Sequence, residues 1–166
     1  MPDHWKVIYV NSRAEKKVAE RLSRSNIECY VPLKREVRQW SDRKKLVEMP
    51  MISGYVFVRP LALQRDKVLQ CAGVLQYVRY NQGDAIVRDM EIEALRSIEQ
   101  KGYFVDGAFG VNLMIGDTAT INYGPFKGLR GVVKSTSSGE LYTLAIESID
   151  YCLNLRIPKE KKKKVD

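Results

Sequence analysis

The chain has 166 residues, with 28 Lys or Arg against 20 Asp or Glu, a net charge of +8, and 45% hydrophobic residues. That length suits one ordinary domain or two small ones and leaves no room for a large catalytic architecture. The apolar content excludes wholesale disorder, and the positive charge points to a polyanionic partner.

The opening MPDHWKVIYV lacks the basic, apolar and small-residue order of a leader peptide, and no run of about 18 apolar residues occurs. A cytoplasmic protein with no membrane partner is therefore expected. Cys29, Cys71 and Cys152 are odd in number and widely spaced, so they read as reduced core residues and no metal is expected.

In chain order, Lys6 to Val10 is a short β-rich run preceded by Trp5. Arg13 to Ser25 reads as a helix capped by Asn11 or Ser12, with Ala14, Val18 and Leu22 four apart. Ile27 to Leu33 returns as a strand. Residues 34–49, KREVRQWSDRKKLVEM, read as a hairpin with Val37 and Trp40 on one arm and Leu46 and Val47 on the other. Ser41–Asp42 is its tip. YVFV at 55–58 reads as a central strand closed by Pro60. A helix from about Leu63 to Cys71, a strand at Gln76 to Arg79 and a turn at Asn81–Asp84 follow. Asp89 then caps a helix to Lys101, with Ile92, Leu95 and Ile98 on one face.

The periodic pattern breaks in KGYFVDGAFGVN, which marks residues 106–112 as a linker. Residues 1–105 carry 19 basic and 13 acidic residues, whereas residues 111–158 carry four of each. The positive charge borne by the fold thus belongs to the first domain. Residues 113–158 read as all-β, with runs at Asp117–Asn122, Arg130–Lys134, Leu141–Glu147 and Tyr151–Ile157. Strands this few and short favour a small closed barrel, which removes exposed edges. Residues 159–166 form a lysine-rich tail.

IGDTATINYGPFKGLRGVV at 115–133 closely resembles a KOW motif through Gly116, Asp117, Gly124, Pro125, Phe126, Gly128 and Gly131. Glycines there permit tight turns and close strand approach. An opening tryptophan, a basic helix, a Val-Pro strand, a basic hairpin and a GYVFV strand resemble the N-terminal domain of the NusG family. The pairing of the two covers nearly the whole chain. The resemblance implies an α+β protein, an N-terminal α/β sandwich followed by an SH3-like β-barrel. The compact form and Ile52-Ser53 look like the specialised paralogues, nearest the UpxY-type antiterminators of capsular polysaccharide operons in Bacteroides, with RfaH-like function.

What the resemblance implies is binding. The first domain would dock on the clamp helices of the largest RNA polymerase subunit through Trp5, Ile52, Gly54 and Tyr55, suppressing pausing and termination. Ile52 and Ser53 stand where the general factor has phenylalanine and proline. The hairpin residues Lys34, Arg35, Arg38, Trp40, Arg43, Lys44 and Lys45 suit upstream or non-template DNA, or nascent RNA. Arg65, Lys67 and Arg79 are further nucleic-acid candidates by the same resemblance. A ribosomal protein is a candidate partner of the barrel. Termination-factor binding is not expected, because Glu147-Ser148-Ile149-Asp150-Tyr151 lacks the family's Phe-Gly-Arg loop.

No enzyme, cofactor or metal is expected: His4 is the sole histidine, and neither a phosphate-binding glycine loop nor a Cys/His cluster occurs. Nothing demands more than a monomer. The competing reading is a ribosome- or RNA-associated KOW protein of translation, which explains the second domain but not Trp5 and Gly54-Tyr55.

Overall fold

A computed structural model describes residues 4–109, 119–122 and 126–159. The first part runs β1 (Trp5–Val10), α1 (Glu15–Arg24), β2 (Glu28–Tyr30), β3 (Leu33–Gln39), β4 (Lys44–Pro50) and β5 (Tyr55–Arg59). It continues with α2 (Arg65–Gln70), β6 (Val74–Tyr77), β7 (Arg79–Tyr80), β8 (Gly83–Asp84), β9 (Ile86–Val87) and α3 (Asp89–Lys101). The second part comprises β10 (Phe104–Phe109), β11 (Ala119–Thr120), β12 (Arg130–Thr136), β13 (Gly139–Ile146) and β14 (Tyr151–Pro158).

The first sheet has the order β2-β5-β1-β6, with β9 also pairing β1, and its pairings are antiparallel. Alternation along β1 and β5 sends side chains to two cores. Ile8, Val56 and Val58 pack with Val18 and Leu22 of α1 and Val68 of α2. Val7, Tyr55 and Phe57 pack with Ile92, Leu95 and Ile98 of α3. Both faces of the YVFV strand are consequently buried, which explains its unbroken apolar run.

Local chemistry corrects several boundaries. Arg13 adopts φ +61°, so α1 begins at Glu15, and neither Asn11 nor Ser12 caps it through a side chain. Asp89 is the first residue of α3 rather than its cap. Arg88 occupies that position, and its N–H donates to Glu91 Oε2 at 2.9 Å. A single 3₁₀ turn at Ala62–Gln64 precedes α2, delaying the helix to Arg65.

β3 and β4 form a separate two-stranded ribbon with Val37 opposite Leu46, closed where the Trp40 N–H donates to the Arg43 carbonyl at 2.8 Å. Residues 106–109, expected as linker, lie in β10, which pairs along β14 from Phe104↔Arg156 to Phe109↔Tyr151. The second sheet has the order β10-β14-β13-β12-β11 and is antiparallel throughout.

The second sheet packs on the first part. Ala94, Leu95 and Ile98 of α3 face Leu129, Leu144, Ile146 and Leu153 across a void of about 10 Å³, at the lower limit for one water. One continuous apolar cluster therefore runs from Trp5 through α3 to Leu155. Helix α3 lies between two sheets. Among the described residues no helix is long and apolar enough to cross a membrane, no group of acidic, histidine or cysteine side chains is placed to hold a metal, and the three cysteines are free.

Candidate functional site

Two surfaces account for most of the sequence candidates. The first surrounds the turn from Met51 to Tyr55. Glu15, in the first turn of α1, is buried, and its Oε1 accepts the Gly54 N–H at 2.8 Å. A carboxylate at that helix end also faces the positive pole of the helix. The Gly54 carbonyl accepts the Val10 N–H at 2.9 Å, and Gly54 itself holds φ +83°, which glycine adopts without steric cost. The turn is thus fixed by the backbone on one side and by a buried acid on the other.

Three of the four residues expected at a docking face are almost fully buried in the intact chain: Trp5 is 3% exposed, Ile52 1% and Tyr55 6%. The Arg59 and Arg96 guanidinium carbons both lie 5.9 Å from the Trp5 ring centroid. Arg96 also lies 5.1 Å from the Tyr30 ring, whose hydroxyl donates to Glu99 Oε2 at 2.6 Å. Tyr55 packs against Tyr9 at 4.7 Å between centroids. Burial, then the hydrogen bond with Tyr9, push the Tyr55 phenol well above its ordinary range; Asp150 and Tyr151 of the second sheet add to that rise. The Tyr151 hydroxyl donates to the Met51 carbonyl at 3.4 Å. The turn Glu147–Tyr151, the stretch singled out in the second domain, accordingly lies against the Met51–Tyr55 turn.

The second surface is the β3–β4 ribbon. Trp40 is 57% exposed and Val37 and Leu46 are exposed with it, so the aromatic does not tuck against the main sheet. Lys34 and Arg38 share Glu36, at 3.3 and 3.8 Å, and Arg35 reaches Glu48 at 3.5 Å. Among the described residues Arg43, Lys44 and Lys45 have no ion pair, so uncompensated charge concentrates at the tip beside Trp40. Lys67, on α2, is exposed and stands apart from the ribbon. Arg65 and Arg79 belong to a third group around Asp84.

The glycine-rich motif is visible in part. Gly116, Asp117, Gly124 and Pro125 lie outside the described residues. Phe126 is buried and meets Tyr142 edge-on, with centroids 5.2 Å apart. At Gly131 a Cβ would stand 2.2 Å from the Thr143 carbonyl oxygen, so β12 and β13 need glycine there. Gly128 holds φ +93° beside Met90 of α3.

Glu15 and Tyr9 escape a reading by sequence. Glu15 carried a signal, an acid in the first helical turn, whereas Tyr9 matters through its contact with Tyr55 of a distant segment.

The fold and these surfaces define a protein with an N-terminal α/β domain bearing a basic ribbon and a C-terminal antiparallel sheet. The family described as "Transcription termination factor nusG" matches residues 3–96, and the chain belongs to the NusG family. Among solved structures it is similar to that titled "Domain interaction in Thermotoga maritima NusG", at 19% identity and a TM-score of 0.54, covering 93% of each chain. A second, titled "Crystal Structure of MjSpt4:Spt5 complex conformation A", is 17% identical with a TM-score of 0.30, over 94% of this chain and 99% of that one. No curated protein matches.

Proposed function

We propose that the chain is a transcription elongation factor that docks on RNA polymerase through its first domain and contacts nucleic acid with the β3–β4 ribbon. The observation that carries this reading is the ribbon itself: an exposed tryptophan flanked by Arg43, Lys44 and Lys45 on a domain of the NusG family. Cations hold phosphates and the indole face stacks on a base, a combination that tolerates any sequence. Apolar and aromatic side chains around Met51–Tyr55 are the residue classes that anchor a protein interface.

Docking through Ile52 and Tyr55 requires the Glu147–Tyr151 turn to leave them. Polymerase then selects the separated arrangement, and the apparent affinity is scaled by the fraction separated. The finer reading is an operon-specific antiterminator of the capsular-polysaccharide type. It is supported by Ile52-Ser53 at the docking turn and by a Glu147–Tyr151 turn without the Phe-Gly-Arg signature of termination-factor binding. The second sheet is read as the KOW barrel on Phe126, Gly128 and Gly131.

Binding of the full chain to purified cognate RNA polymerase, with a fragment carrying the clamp helices as competitor, tests this. Saturable binding displaced by the fragment, and weakened in a folded Trp5→Ala, Tyr55→Ala variant, is expected. Absence of binding by folded protein to active polymerase sinks the reading and moves an RNA-binding role in translation to the front.

A further inference from the structure

The connection between α3 and the second sheet is shorter than the sequence implies. Helix α3 ends at Lys101 and β10 begins at Phe104, so Gly102 and Tyr103 alone join them. β10 then pairs with β14 at six opposed positions and, among the described residues, with no strand of the first sheet. By its pairing it belongs to the second part, although it follows α3 almost directly. The joint and the closing contact lie at opposite ends of one strand. Phe104, next to the joint, stands opposite Arg156, and Phe109 stands opposite Tyr151. Tyr151 is the residue whose hydroxyl reaches the Met51 carbonyl.

The joint is suited to turning. Gly102 caps α3 at φ +66°, and a Cβ there would meet nothing within 4 Å, so glycine is needed for its conformation and not for space. Its N–H is shared between the Ile98 and Glu99 carbonyls at 3.1 and 3.2 Å. Gly102 and Tyr103 line an open cavity of about 360 Å³ with Leu33, Met51 and Ile98. Gly102 also borders a second cavity of about 560 Å³ beside Arg35 and Lys101. The backbone at the joint therefore has room to move. Pulling β10 from β14 would instead break a ladder of backbone bonds along both strands. Turning at Gly102 breaks the one shared bond at the helix end, and the contact of α3 with the second sheet is lost either way.

We propose that Gly102 is a hinge, and that β10 and the second sheet swing about it as one rigid body. This rests on the reading that docking requires the Glu147–Tyr151 turn to leave Ile52 and Tyr55, and it names the motion that does so. At the usual strand rise Arg156 and Tyr151 are about 17 Å apart, so a rotation of about 30° at the hinge carries Tyr151 about 9 Å from its place. That displacement ends the bond to Met51 and uncovers the docking turn. The same rotation takes Gly102 out of its left-handed conformation.

The test has one arm without polymerase and one with it. Tyr151→Glu puts a charge into the closed contact and so opens the chain. Small-angle X-ray scattering of the full chain reports its expansion, and hydrogen exchange reports whether the β10 ladder survives. The expected result is a larger radius of gyration, with exchange across residues 104–109 within about twofold of wild type. Expansion with exchange there faster by about tenfold or more overturns the hinge, since β10 has then peeled from β14. No expansion overturns it too, because nothing has swung. Loss of protection along β12 and β13 as well would mark an unfolded sheet, and Gly102→Ala then decides alone.

An alanine at Gly102 is strained in the closed chain and relaxes on opening, so Gly102→Ala shifts the balance toward the open form. Its apparent affinity for RNA polymerase should rise about fivefold. A residue that serves only as a helix cap would lower the melting temperature and leave affinity unchanged. Unchanged affinity for Gly102→Ala beside a gain for Tyr151→Glu overturns the hinge. Unchanged affinity for both variants sinks the docking reading instead, and scattering and exchange then decide the hinge.

Discussion

Tyr151 and Met51 meet across a hundred residues of chain: the tyrosine hydroxyl donates to the methionine carbonyl at 3.4 Å. That distance is at the long end for O–H···O, so the bond contributes less to domain contact than the apolar surfaces around it. Tyr151→Phe should accordingly change polymerase affinity less than about twofold. Tyr151→Glu places a charge where burial would strip its water, which drives the two parts apart. Its apparent affinity should rise toward that of the permanently separated first domain. Titration of polymerase with the three proteins distinguishes the cases, and identical affinity for all of them would show that the Met51–Tyr55 turn is not the docking face.

Glu15 serves the same turn from inside. Glu15→Ala leaves the Gly54 N–H without its acceptor, at a cost of about 1–3 kcal/mol. Glu15→Gln keeps a carbonyl oxygen in place and should lose less. Urea unfolding midpoints give the stability order wild type, Gln, Ala. Polymerase affinity should follow that order if the backbone at Gly54 presents Ile52 and Tyr55.

Two glycines are required to different degrees and for different reasons. Gly131→Ala would drive a Cβ into the Thr143 carbonyl, so β12 and β13 must separate. A loss of about 3 kcal/mol is expected, in the range of severe backbone clashes. At Gly54 an added Cβ meets nothing within 4 Å, and the only penalty is φ +83°, about 1–2 kcal/mol. Thermal unfolding of both alanine variants should therefore rank Gly131→Ala well below Gly54→Ala. The reverse order would refute the strand spacing described for β12 and β13.

The Asp84 cluster also bounds the pH range of stability. Burial alone would raise the Asp84 carboxyl, but the hydrogen bonds and charge of Arg65, with Lys6 behind, outweigh it and hold the group below its ordinary range. Its contribution is therefore present above the unfolded value of about 3.9 and is lost as pH falls through the lowered folded value. Tyr77 behaves oppositely: burial pushes its phenol up to about 12, against the lowering influence of Arg65. That contribution is intact below the unfolded value of about 10 and is lost as pH rises toward the folded one. Melting temperatures across pH should decline at both ends. Asp84→Asn should lessen the decline on the acid side only, and Tyr77→Phe on the alkaline side only, where Tyr30 and Tyr55, also raised by burial, sustain the remaining loss.

Elements carried by local periodicity were legible in the sequence. Helix α3 spans Asp89–Lys101 as the spacing of Ile92, Leu95 and Ile98 implied, and the ribbon arms meet around Ser41–Asp42. The exposure of Trp40 was open until the ribbon stood apart from the main sheet. What the sequence hid depends on contacts between remote segments. Asp106 and Gly107 read as linker because a glycine and an acid weaken strand propensity, yet β14 supplies a full row of partners. Trp5, Ile52 and Tyr55 were plausible surface anchors, but their burial is completed by Arg59, Arg96 and the second sheet. Arg65 and Arg79 stand out in the sequence only through the family resemblance, and the fold joins them to Lys6 through Asp84.

The β3–β4 ribbon has a consequence for the behaviour of the protein at high concentration. Among the described residues neither strand pairs with another strand, so apart from the Glu48 carbonyl, which accepts Lys16 Nζ at 3.1 Å, the outer edges present backbone groups open to another chain, and Val37 and Leu46 form an apolar step between them. Such an edge invites sheet extension between copies, and lysines and arginines along it are the usual deterrent. The charges that suit the ribbon to a polyanion therefore also keep copies apart. Screening them with salt, or neutralising them on a ligand, removes that barrier and favours ribbon-to-ribbon self-association.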